Sequence, residues 1–333
     1  MADIKIRLED LFQAELWSSD DFIAAPEMQN VLNSGLLVQD TKLQALVNAS
    51  DAGTRFELPY IQEPDYTEPE GMDDSDDELT TKKLSWASMW ATVGMYSNSY
   101  AFAHMAQLLT RDSDPAKVIR DVIGNYWGRD LQNRIIATII GLAAKAGDEL
   151  TLDVADDSTD KPDIVLDSSV IVDGISKVGD MQDKFQEMFI HSKVYGDLKK
   201  ANLIDTVQPS QEGAKPIEVY GNYKVVVNDL LPVTDGENKK KYTTVIAQRG
   251  MFAYADKNLG SEMPPLEVYR NPLSGKGAGD SKIISRKGFV LHPIGFSYTK
   301  TAMNPTLTDL KASTNWSMKL KAKQQKFVAI VTN

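Results

Sequence analysis

The stretch "DSDPAKVIRDVIGNYWGRDLQNRIIATIIGLAAKAG", residues 112–147, decides the fold. Asp114-Pro115 joins an N-cap residue to a proline at the first helical position, where the missing N–H costs nothing. Ile119, Ile123, Tyr126, Trp127, Leu131, Ile135, Ile139 and Leu142 then recur at helical spacing. Gly147 supplies the stop. About 32 residues at a rise of 1.5 Å each make a rod of roughly 48 Å. An ordinary globular helix has only three or four turns. A rod of this length must lie across a sheet or against neighbouring molecules.

Upstream, "TRFELPYIQ" (54–62) and "KKLSWASMWATVG" (82–94) both alternate with the period of two that marks strands. Between them "EPDYTEPEGMDDSDDE" (63–78) holds nine acids and no base. Self-repulsion and the prolines keep such a segment in solvent. Within it "DDSDDE" lacks the glycine-turn and bidentate-glutamate spacing of a calcium loop, so no metal site is expected. Trp86 and Trp90 share one face of a hairpin with no core of its own. Large apolar side chains there need a partner surface, from the same chain or another copy. Residues 1–50 read as an arm with short helical segments near 8–17 and 26–36.

Downstream, residues 163–265 read as a mixed α/β unit. A helix is expected over 169–186 with Asp167-Ser168 near its cap, then a strand over 187–194 and a second helix to Ala201. Residues 217–232 form a hairpin turning at Gly221-Asn222, 236–241 an exposed loop, and 242–256 a further pair of strands. Residues 266–333 are strand-rich, with a glycine loop at 274–280. "KLKAKQQK" (319–326) alternates like the outer face of a strand. No internal repeat is present.

The 333 residues, 42% of them hydrophobic, suffice for a core divided between two units. Cysteine is absent, which removes disulfides and thiolate chemistry. No secretory signal is expected, and no window reaches the ~20 apolar residues of a membrane span. The net charge of −11 is uneven. Residues 1–80 hold 19 acids and 4 bases, a net −15, while the other 253 hold 28 acids and 32 bases, a net +4. A protein that coats nucleic acid is normally basic overall, so direct DNA binding is disfavoured.

The search for chemistry ends without a site. His104, His191 and His292 have no ligand partner at metal spacing. His191 and Ser192 are adjacent, so in a strand they point to opposite faces and cannot act as base and nucleophile. No serine sits in a nucleophile elbow. "SGKGAGD" (274–280) lacks phosphate-loop spacing. No catalytic, cofactor or metal residue is assigned.

The order of parts and the wording of six segments point one way. These are "SGLLVQD" (34–40), "DPAKVIRDVIGNYWGRDLQNRIIATIIG" (114–141), "FIHSKVYGDLKKANLI" (189–204), "YGNYKVVVNDLLP" (220–232), "FVLHPIGF" (289–296) and "NWSMKLKAKQQKFVAIVTN" (315–333). Together, from about residue 34 to 333, they resemble the major capsid protein of tailed bacteriophages, the Hong Kong 97 fold.

The resemblance implies an α+β capsid fold in five parts: an N-terminal arm (1–50), an extended hairpin loop (51–96), a peripheral domain with the spine helix (97–162), an axial α/β domain (163–265) and return strands of the peripheral domain (266–333). It implies a non-enzymatic shell protein of the virion, assembled in the host bacterial cytoplasm. Its partners would be itself, as pentamers and hexamers, a separate scaffolding protein, a portal and decoration proteins. The shell would enclose double-stranded DNA without sequence-specific contact. An encapsulin-like bacterial nanocompartment is the alternative use of the same fold. Trp86, Trp90, Asp65, Glu68, Glu70, Asp73, Asp74, Asp76, Asp77 and Glu78 are the candidate subunit-interface residues. The acids are expected to meet lysine or arginine of an adjacent subunit.

Overall fold

The computed structural model describes residues 5–6, 31–32, 34–49, 53–62, 66–72, 78–104, 115–207 and 217–333. The helical segment near 8–17 and the acids Asp65, Asp73, Asp74, Asp76 and Asp77 lie outside them. The spine helix runs Pro115–Ala146, 32 residues, as its spacing requires. Gly147 follows at φ +51°, a left-handed conformation that glycine adopts without steric cost. Ile135, Ile139 and Leu142 are sealed in the main core, and each contributes about 1.5–3 kcal/mol by burial.

Two sheets flank this rod. In the first, of seven strands, the 19-residue strand Ser85–Ala103 is the longest element. Its first part pairs antiparallel with Arg55–Gln62. From Val93 onward it pairs with Asp280–Pro293. The second hairpin strand thus runs past residue 94, where the sequence pattern ended, and anchors the projecting hairpin in the body. Phe252–Lys257 adds beyond Asp280–Pro293, and Leu37–Gln39 adds parallel to it. The spine helix meets this sheet through Ile123, Trp127 and Ile283. There Trp127 Nε1 donates to Ser285 Oγ at 2.7 Å.

The second sheet has eight strands, with Phe185–Ile190 and Lys240–Gln248 at its centre. Several expectations change here. Residues 242–256 are not a local strand pair. Lys240–Gln248 belongs to the second sheet and Phe252–Lys257 to the first, and the chain crosses at Gly250, φ +68°. Phe327–Thr332 lies in the second sheet, between Thr151–Asp153 and Lys240–Gln248. Residues 319–326 form no strand. Gln325 is fully buried, and its Nε2 donates to the Leu320 carbonyl at 2.9 Å, curling the segment around itself.

The expected helix over 169–186 is shorter, Ser168–Ser176 capped by Asp167, with a 3-10 segment Gly179–Lys184 behind it. Residues 34–49 pack against the body. A helix, Thr41–Asn48, starts at Asp40, whose side chain accepts from the Lys42 and Leu43 amides. It buries Leu43 and Val47 against Phe56, Val93 and Val290.

Buried His292 carries a pH prediction. Burial alone pushes its pKa from 6.5 down to about 4. Its Nε2 has no hydrogen-bond partner among the described residues. Between those two values the unfolded chain binds the proton and the folded chain does not. The contribution of His292 is therefore fully present above pH 6.5 and fades as pH falls toward 4, by roughly 3 kcal/mol at most. Denaturant unfolding of unassembled subunits at pH 7.5 and 4.5 should show a smaller acid loss for His292→Gln than for the wild type. Equal losses would place the acid sensitivity elsewhere.

Candidate subunit interface

The hairpin projects two kinds of side chain. Ile61 and Trp86 are directly opposed across its strands. They are 56% and 73% exposed, an apolar pair that no described residue covers. Tyr66, Met72, Leu79 and Leu84 are exposed beyond them. The acids Glu68, Glu70 and Glu78 are exposed along the same stretch. Hydrogen bonds from Thr80 hold the Glu70 carboxyl below its usual range, so it remains an anion at neutral pH.

The two tryptophans part company in space. The Arg55 guanidinium lies 4.5 Å from the Trp90 ring centroid, a cation–π contact. The Trp90 amide donates to Ser297 Oγ at 2.9 Å, and an Arg55 guanidinium N–H donates to the Tyr298 carbonyl at 2.9 Å. Trp90 is thus half-buried at the hairpin base on its own chain, and Trp86 is left uncovered. Sequence treated them alike because both occupy the same face. The covering group, Arg55, comes from the partner strand, and the register that sets Ile61 opposite Trp86 is not visible in composition.

A groove of about 420 Å³ opens elsewhere on the body, beside the spine helix. Ile123, Trp127, Leu259, Pro265 and Leu266 line it, with Lys257, Arg286 and Lys287 among them. Arg286 already pairs with Glu267 at 2.7 Å, and Lys257 Nζ donates to the Val47 carbonyl at 2.6 Å.

Nothing converges as a reactive centre among the described residues. No group of three metal-ligating side chains exists there, and no helix is long and apolar enough to cross a membrane. His104 Nε2 bonds Ser281 Oγ at 2.6 Å, His191 caps a helix and His292 is sealed in the core. His191 and Ser192 are not strand neighbours, because the strand ends at Ile190 and the helix starts at Ser192.

A long rod between two sheets, with an uncovered hairpin, is the fold of the Hong Kong 97 type. The chain is similar to the capsid of Ralstonia phage GP4, with a TM-score of 0.60 and 12% identity over 95% of this chain and 94% of that one. It is similar also to an encapsulin of Synechococcus elongatus, with a TM-score of 0.53 and 8% identity over 98% and 95%. These likenesses are of fold. Sequence goes further: residues 73–329 match the major capsid protein 13-like family, and the chain belongs to it. It is 28% identical over 317 residues to the major capsid protein of Bacillus phage SPP1, covering 93% of each. The protein is a major capsid protein of a tailed-phage head, a structural component of the virion and not an enzyme. It self-assembles into shells.

Proposed function

We propose that the subunits assemble as pentamers and hexamers, and that the end of each hairpin lies on an adjacent copy. The uncovered Ile61–Trp86 pair carries this reading. The strand rise of ~3.3 Å per residue places Trp86 about 33 Å along the strand from Tyr96, far from its own spine helix. Apolar area left in water at the end of such a lever is stabilised only by a second molecule. The acids around it call for a cationic counterpart on the adjacent copy. The axial unit, 163–265, would meet its copies around the capsomer centre. Scaffolding, portal and decoration proteins complete the head, which encloses double-stranded DNA without reading its sequence.

The test is a double substitution, Ile61→Asp with Trp86→Asp. Both side chains are exposed, so the subunit should fold with unchanged circular dichroism. A buried tryptophan anchor contributes about 2 kcal/mol or more at an interface. Repeated over every copy, its loss should cut particle yield at least tenfold by sedimentation, with free subunits accumulating. Full-size particles at wild-type yield in negative-stain images would defeat the proposal.

A further inference from the structure

The joint between strand Phe185–Ile190 and helix Ser192–Lys200 is made by His191, extended at φ −74° and ψ 150°. Its Nδ1 accepts the Lys193 backbone N–H at 3.1 Å and so caps the helix. Helix caps are normally the oxygens of Ser, Thr, Asp or Asn, which accept at any neutral pH. A ring nitrogen accepts only while it carries no proton. The cap therefore fixes the tautomer, with the proton on Nε2.

The surroundings decide what a second proton would do. Nε2 stands 3.8 Å from Asp229 Oδ1. Asp229 Oδ1 also accepts the Ser192 amide at 3.2 Å. Hydrogen bonds from Ser192, with a smaller contribution from the His191 charge, hold the Asp229 carboxyl below its usual range. Asp229 is thus an anion across the range in which imidazoles titrate. The Tyr242 ring packs 5.1 Å from the His191 ring, and the Lys193 ammonium is taken by Asp197. A cation at His191 is repelled by the positive end of the helix dipole and drawn to the Asp229 carboxylate.

We propose that His191 is a proton-operated helix cap. Neutral, it holds the first turn of Ser192–Lys200. Protonated, its Nδ1–H confronts the Lys193 N–H, the cap bond is lost and the ring turns to Asp229. The softening is local, because Val194 and Leu198 keep the helix anchored in the core. This device acts within one subunit and is independent of how the hairpin docks.

Hydrogen–deuterium exchange of the full-length unassembled subunit, read by mass spectrometry over 191–196 at pH 8 and pH 5.5 and corrected for intrinsic rates, tests it. The wild type should lose protection about fivefold at the lower pH, the effect of one lost side-chain cap. His191→Asn, a cap that does not titrate, should remain protected at both values. His191→Ala should be unprotected at both. Equal wild-type protection at the two pH values overturns the proposal. A pH dependence in His191→Asn as large as in the wild type overturns it too, by placing the titration on another group.

Discussion

Gly141→Ala is expected to destabilise the subunit by about 1–3 kcal/mol, although alanine is the better helix former. A Cβ at position 141 would sit 2.1 Å from the Leu310 carbonyl oxygen and 2.8 Å from Trp316 Nε1. Neither neighbour is free to move. Trp316 is buried, and its Nε1 donates to that same Leu310 carbonyl at 2.8 Å. The short helix Leu307–Lys311 that carries the carbonyl is pinned at its start by a reciprocal Thr306–Asp309 capping box. Alanine must therefore push the two helices apart or break the indole bond. Gly124→Ala, on the same helix, is the control. Gly124 is exposed, and nothing lies within 4 Å of its added Cβ. There the propensity gain of about 0.8–1 kcal/mol should appear intact. Denaturant midpoints of unassembled subunits should move in opposite directions. A Gly141→Ala subunit as stable as the wild type would show that the two helices are not in close contact.

That pair of glycines shows where sequence stops being informative. Both interrupt the same apolar pattern, and nothing in their neighbours distinguishes them. Helix Pro115–Ala146 was legible because start, spacing and stop are local signals. The hairpin was legible for the same reason, as alternation on either side of an acidic run. What failed was partner choice. Lys240–Gln248 and Phe252–Lys257 look like two arms of one hairpin, yet they enter different sheets, because their partners come from distant segments. The alternation in 319–326 was accidental, with Gln325 curling the chain back on itself. His191 gives no capping signal in the sequence, because histidine is not among the usual capping residues. Exposure, which only the fold supplies, separates the two tryptophans: Trp86 is bare and Trp90 is covered by Arg55.

Removing Arg134 should cost about 3–5 kcal/mol, the loss expected when one partner of a buried ion pair is deleted. Arg134 is 8% exposed and fastens the spine helix to the long strand of the first sheet. Its Nε lies 2.8 Å from Asp130 Oδ2, one helical turn away. Another guanidinium N–H donates to the Pro305 carbonyl at 2.8 Å, and the plane sits 3.7 Å from the Tyr96 ring centroid. The Tyr96 hydroxyl donates to that same carbonyl at 3.0 Å, with burial pushing its pKa up to about 12. Arg134→Met keeps the bulk but leaves the Asp130 carboxylate unpaired at a site only 14% exposed. Arg134→Lys should rescue little, because an ammonium cannot bond two acceptors in a plane while stacking on a ring. The informative variant is the double one, Arg134→Met with Asp130→Leu. With both charges gone no buried ion is stranded, and most of the lost stability should return. A double variant as weak as Arg134→Met alone would mean that the guanidinium acts through Tyr96 and Pro305, not through its carboxylate. The joint between helix and sheet would then be a stacking contact, with Asp130 a bystander.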